Sequence, residues 1–197
     1  NIMYNIGIDL GGTNIKVGIV NENYEIISRA SVKTNLPRPA EGIVDGICEA
    51  VNIALNESAI NLDDVFSVGI GTPGAANRST GTVLYSNNLG FDNVRLGEML
   101  KKKLNKDIYV ENDANAAALG EYYAGAAKGA KSAIVITLGT GLGAGIIIDG
   151  KIFSGSNYAG AEIGHTVINV DGEPCTCGRK GCFEAYCSAT ALVKFTK

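Results

Sequence analysis

The chain has 197 residues, 46% hydrophobic and 19% charged, with a net charge of −3. That balance suits a globular fold of one large or two small domains and gives no electrostatic case for nucleic acid. No charged-then-apolar leader opens the chain and no apolar run nears membrane-spanning length, so neither export nor a membrane partner is expected, and unpaired cysteines point to the cytoplasm.

Tyr4 to Asp9 is a short apolar run, Leu10-Gly11-Gly12-Thr13-Asn14 a glycine turn, and Ile15 to Val20 a run of alternating apolar residues. Strand, tight turn, strand is the economical reading. The turn lacks the Gly-Lys-Ser/Thr of a P-loop. Gly11, Gly12 and Thr13 can still present N–H groups and a hydroxyl to phosphate oxygens, although a plain hairpin has the same sequence. Asp9 ends the first strand, where it is placed to hold Mg²⁺ through water; Lys16 either reaches the phosphates or lies in solvent.

Glu25 to Thr34 reads as a third antiparallel strand, and Pro37 and Pro39 then break the chain. Ile43, Ile47, Val51, Ala54 and Leu55 recur at helical spacing, widened by Val44 and Cys48, which makes Cys48 a core residue rather than a ligand. Val65 to Gly71 is a strand. Gly69, Gly71 and Gly74 match a dinucleotide pattern formally, but Pro73 and the polar stretch from Asn77 to Gly81 deny it the helix that would meet a pyrophosphate. Asn88 lies in a loop where asparagine by itself signals turn chemistry. Leu96 to Leu104 is helical, with Lys101 to Lys103 near its C-terminus, and Ile108 to Val110 reads as a buried strand. Glu111-Asn112-Asp113 ends that strand and leads into an alanine-rich helix, with Asp113 where an N-cap belongs. Lys131 to Leu138, then Gly139-Thr140-Gly141, then Ala144 to Ile148 repeats the opening strand–glycine turn–strand unit, followed by a short strand over 151–153. Two such hairpins facing each other make a phosphate clamp.

The stretch from Glu162 to Glu184 carries the most specific signal. His165 is the sole histidine, and Cys175, Cys177 and Cys182 fall within eight residues of one another. Three thiolates and an imidazole suit a structural Zn²⁺, and a Cys-x-Cys pair is a poor local disulfide. The second ring nitrogen of a metal-bound His165 needs a partner, and with Glu162 and Glu184 alongside, a polyol hydroxyl is the expected one. Glu184 to Lys197 begins a helix.

Glu162-Ile163-Gly164-His165 followed by Cys-x-Cys-Gly-x-x-Gly-Cys-x-Glu resembles the sugar kinases of the ROK family, and the likeness extends over essentially the whole chain. The resemblance implies an α/β fold of the actin-like ATPase (ribonuclease H-like) type, built from two duplicated lobes with a zinc-binding insertion. Residues 1–126 would form the first lobe and 127–197 the start of a second, truncated one. It implies that the two glycine turns are the phosphate loops, that Asp113 is the catalytic base, and that Asp113 also borders the sugar together with Asn88, Asn112, Glu162, His165 and Glu184. Glucose is then the expected hexose, ATP or polyphosphate the donor, and a homodimer the expected assembly of the longer enzyme. A sugar-sensing ROK regulator is the rival, disfavoured by the phosphate strand that follows Met3 directly; an inactive sugar-binding fragment is a third reading.

Overall fold

A computed structural model of the protein describes residues 3–196; Asn1, Ile2 and Lys197 lie outside them. The described residues fall into two compact units that divide between Asp113 and Ala114.

The first unit is built on a five-stranded sheet of order β3-β2-β1-β4-β8, formed by β1 (Tyr4–Leu10), β2 (Asn14–Val20), β3 (Ile26–Lys33), β4 (Val65–Thr72) and β8 (Asp107–Asn112). The first three strands are antiparallel neighbours, whereas β4 runs parallel to β1 and β8 parallel to β4. Helix α1 (Ala40–Ser58) covers one face, and its predicted stripe is the buried one: Ile43, Ile47, Val51 and Ala54 are wholly excluded from solvent. Cys48 packs half-buried against this core, where burial raises its thiol pKa. Helix α2 spans Leu96–Leu104.

Two readings of this unit need correction. β8 is an edge strand of the sheet, so only Val110 is fully buried and Tyr109 stays 60% exposed; the apolar run over-stated its burial. A second sheet went unread, comprising β5 (Ala75–Asn77), β6 (Thr82–Ser86) and β7 (Phe91–Val94). Its strands are three to five residues long, too short to show an alternating period. β5 follows Gly74 where a dinucleotide fold would place a helix.

Helix α3 (Asp113–Ala124) leads from the first unit into the second. The sheet of the second unit has the order β11-β10-β9, from β9 (Ser132–Leu138), β10 (Leu142–Ile148) and β11 (Lys151–Ile152). Gly143 and Gly145 on β10 explain the alanines of α3. A Cβ on Gly145 would lie 2.4 Å from that of Ala118, and one on Gly143 would lie 3.1 Å from that of Ala114. Helix and strand therefore meet at nearly backbone contact. Beyond residues 153–183 come α4 (Glu184–Cys187) and α5 (Ala189–Phe195) in place of one continuous helix. Ser188 is extended between them, and its hydroxyl accepts from the Ala191 N–H at 3.1 Å to cap α5.

Candidate functional site

In the first glycine turn the last paired residues are Leu10 and Ile15. The Gly11 N–H donates to the Asn14 carbonyl at 3.0 Å. Thr34, fully buried, donates its hydroxyl to the Gly11 carbonyl at 2.6 Å and its N–H to the Thr13 carbonyl at 3.0 Å. The Gly11, Thr13 and Asn14 carbonyls are thus spoken for, while the N–H groups of Gly12 and Thr13 have no hydrogen-bond partner among the described residues. A turn tied this way leaves two successive N–H donors for an anion. Sequence reasoning missed Thr34, which looks like an ordinary strand-end threonine until the turn folds onto it.

Asp9 and Lys16 face each other in register beside this turn and pair at 3.3 Å, both more than half exposed. Such a pair contributes about 0–1 kcal/mol and is easily exchanged for a phosphate or a cation. An open cleft of about 480 Å³ is lined by Leu36, Pro37, Arg38, Asn87, Asn88, Leu89 and Gly90. Gly12 lies close to Asn88 and Leu36, so this cleft opens next to the turn. Arg38, also unread in the sequence, lies along α1 over Gly42, where a Cβ would come within 2.7 Å of its Nε. Asn112, at the end of β8, donates its side-chain amide to the Gly74 carbonyl at 3.0 Å. Asp113 is exposed and is the first helical residue of α3, one position later than the predicted N-cap. It remains in the first turn, where the helix field favours the carboxylate.

In the second unit the side chains of His165, Cys175, Cys177 and Cys182 converge, with all four ligand atoms within 4.8 Å of one another. Cys175 Sγ lies 3.6 Å from His165 Nδ1, and Cys177 Sγ lies 3.6 Å from Cys182 Sγ. Tetrahedral zinc with Zn–S bonds of about 2.3 Å would place its thiolates about 3.8 Å apart, so the four groups fit that ion. The local fold follows from the glycines: Gly178 and Gly181 hold φ values of +83° and +72°, and a Cβ on Gly181 would collide with the Asn169 carbonyl. Hydrogen bonds from the Arg179 backbone and guanidinium lower the Cys177 thiol to about 6, whereas burial raises Cys182 to about 11.

Glu162 is exposed at the turn that carries His165. Glu184 is half-buried and already engaged: Oε2 accepts from the Leu142 N–H at 2.9 Å, and Oε1 accepts from the Thr176 hydroxyl at 2.9 Å. It bridges the metal knot and the second glycine turn. That turn, closed by Leu138 and Leu142, is one residue shorter than the first.

The sequence pattern of the ROK family matches residues 5–197. The chain belongs to the ROK family. The glucokinase of Streptomyces coelicolor is 44% identical over 192 residues, which are 98% of this chain and 58% of that protein. The crystal structure of a ROK family glucokinase from Streptomyces griseus in complex with glucose and AMPPNP superposes with a TM-score of 0.84 at 44% identity, covering 98% of this chain and 59% of that one. The xylose repressor of Caldicellulosiruptor bescii is 35% identical over 192 residues, 98% of this chain and 48% of the repressor. The ROK chain described here therefore has the actin-like α/β fold and spans 58% of the length of the glucokinase it resembles.

Proposed function

We propose that this ROK chain is the sugar- and phosphate-binding part of an ATP-dependent hexose kinase, with glucose as substrate and its 6-hydroxyl as acceptor. The observation that carries the reading is the first unit's glycine turn, tied by Thr34 so that the Gly12 and Thr13 N–H groups stand open, in a chain 44% identical to glucokinases. Phosphoryl transfer asks for alignment and charge neutralisation more than covalent help. Asp113 accepts the proton of the sugar hydroxyl as that oxygen takes the γ-phosphoryl group and ADP leaves. Gly11, Gly12, Thr13 and Lys16, with Gly139, Thr140 and Gly141, meet the phosphates. Asp9 would hold Mg²⁺ through water, which supplies neutralisation of phosphate charge. Asn88, Asn112, Glu162, His165 and Glu184 hold the sugar hydroxyls, and Zn²⁺ held by His165, Cys175, Cys177 and Cys182 keeps the last of these in place.

We also read residues 1–126 and 127–197 as the first lobe and the opening of the second, with the zinc insertion between β11 and α4. Support comes from the matching strands of the two sheets. Ile6, Ile8 and Leu10 on β1 are 1%, 4% and 0% exposed beneath α1. Ile134, Ile136 and Leu138, at the same places on β9, are 63%, 46% and 64% exposed. An apolar face of that kind needs a cover, which a longer chain would supply. The test is phosphorylation of a hexose panel with ATP by a protein of the relatives' length and by the 197-residue chain. The longer protein is expected to favour glucose, and the shorter to stay at least about a hundredfold slower because its phosphate groups cannot be aligned. Equal rates from both would refute the lobe assignment. Glucose binding without phosphorylation by either would favour the sugar-sensing reading that the xylose repressor represents.

A further inference from the structure

Each strand–turn–strand hairpin needs its carbonyls tied if its amides are to face an anion, and the second unit does this with a segment the sequence assigned to other work. The Gly139 N–H donates to the Gly141 carbonyl at 3.0 Å. The Ala189 N–H donates to the Gly139 carbonyl at 3.0 Å, and the Thr190 hydroxyl donates to the Thr140 carbonyl at 2.8 Å. Glu184 takes the Leu142 N–H where the turn re-enters β10. All three residues lie within eight positions after Cys182, the last thiol of the metal knot. A second contact joins the same parts, because a Cβ on Gly164, next to His165, would lie 2.1 Å from the Leu142 carbonyl. Gly141 must lack a side chain for a related reason: its Cβ would lie 2.4 Å from Glu184 Oε2. The N–H groups of Thr140 and Gly141 are left with no hydrogen-bond partner among the described residues. The first turn shows the same division of labour, with Thr34 in the place of Ala189 and Thr190.

We propose that Glu184 and Thr190 are positioning residues for the second phosphate turn, and that the metal knot sets that turn's shape through them. This rests on the kinase reading for what the turn binds, but not for whether the knot holds it. Metal in the knot then governs the nucleotide side of the site as well as the sugar side. Among the described residues the Thr190 hydroxyl hydrogen-bonds the Thr140 carbonyl alone, so it separates the two roles that Glu184 combines.

Amide hydrogen exchange on the zinc-loaded chain reads this directly, without sugar or nucleotide. Thr190→Val is expected to speed exchange of the hydrogen-bonded Gly139 and Leu142 N–H groups by about tenfold, as the loss of one hydrogen bond implies, with Thr190→Ser restoring protection. Chelating the zinc is expected to speed exchange across the same residues while α1 and β1–β4 keep theirs. Unchanged exchange of the Gly139 and Leu142 N–H groups in Thr190→Val, or on removal of the metal, would overturn the inference and leave the kinase reading to the phosphorylation assay. Failure of Thr190→Ser to rescue would do so too, because it would show that packing rather than the hydroxyl matters.

Discussion

Asp113→Asn, in a protein of the relatives' length, is expected to lower kcat by about 10²–10⁴ while leaving glucose affinity within about twofold. Asp113 is exposed at the point where β8 hands over to α3. The parallel pairing of β8 with β4 fixes that point through Asn112, whose backbone is in register with Thr72 and whose side chain holds the Gly74 carbonyl. The carboxylate thus sits where β8 ends, in the first turn of a helix, the end at which the helix dipole favours negative charge. Asparagine has nearly the same shape and favours helix starts, so the fold loses little. What it cannot do is take a proton. A fall of less than tenfold would remove Asp113 from the role of base.

Losing the metal is expected to have the larger effect on stability. The wild-type chain should carry about one zinc, and Cys175→Ser should lower its affinity for the metal by at least about a hundredfold and unfold the segment from Glu162 to Cys187. That segment has little else to hold it: short turns, the isolated bridges Val167–Cys182 and Pro174–Lys180, and few buried side chains. Glucose affinity should fall with it, because Glu162, His165 and Glu184 are all proposed to be aligned by the knot. Cys48→Ser is the control, since Cys48 packs on the α1 core of the other unit and should leave zinc content unchanged. Elemental analysis and circular dichroism with and without chelator decide the matter. Full zinc content in Cys175→Ser, or a metal-free wild type with undiminished stability, would contradict the assignment.

The parts of the fold that follow from periodicity were legible in the sequence. β1 to β4, α1, α2, both glycine turns and the ligand quartet lie where their spacing put them, because each is governed by neighbours close in the chain. The small sheet of β5–β7 was not legible, since its strands are too short to show a period, even though Ala76, Val83 and Phe91 are buried in the core. The break at Ser188 was hidden because Ala185-Tyr186-Cys187 and Ala189 onward both read as helix; only the cap to Ala191 reveals it. The threonines that tie the turns, Thr34 and Thr190, act over separations of 23 and 50 residues, and no local pattern announces them. Glu184 was singled out as a sugar ligand, and its grip on Leu142 adds a task that motif spacing does not encode.

The central claim, phosphoryl transfer to a sugar, is tested most directly by following ADP and sugar phosphate together. With glucose and Mg²⁺–ATP, a protein of the relatives' length should form ADP and glucose 6-phosphate one for one, with negligible ADP in the absence of sugar. Saturable glucose binding with no glucose 6-phosphate formed would contradict it.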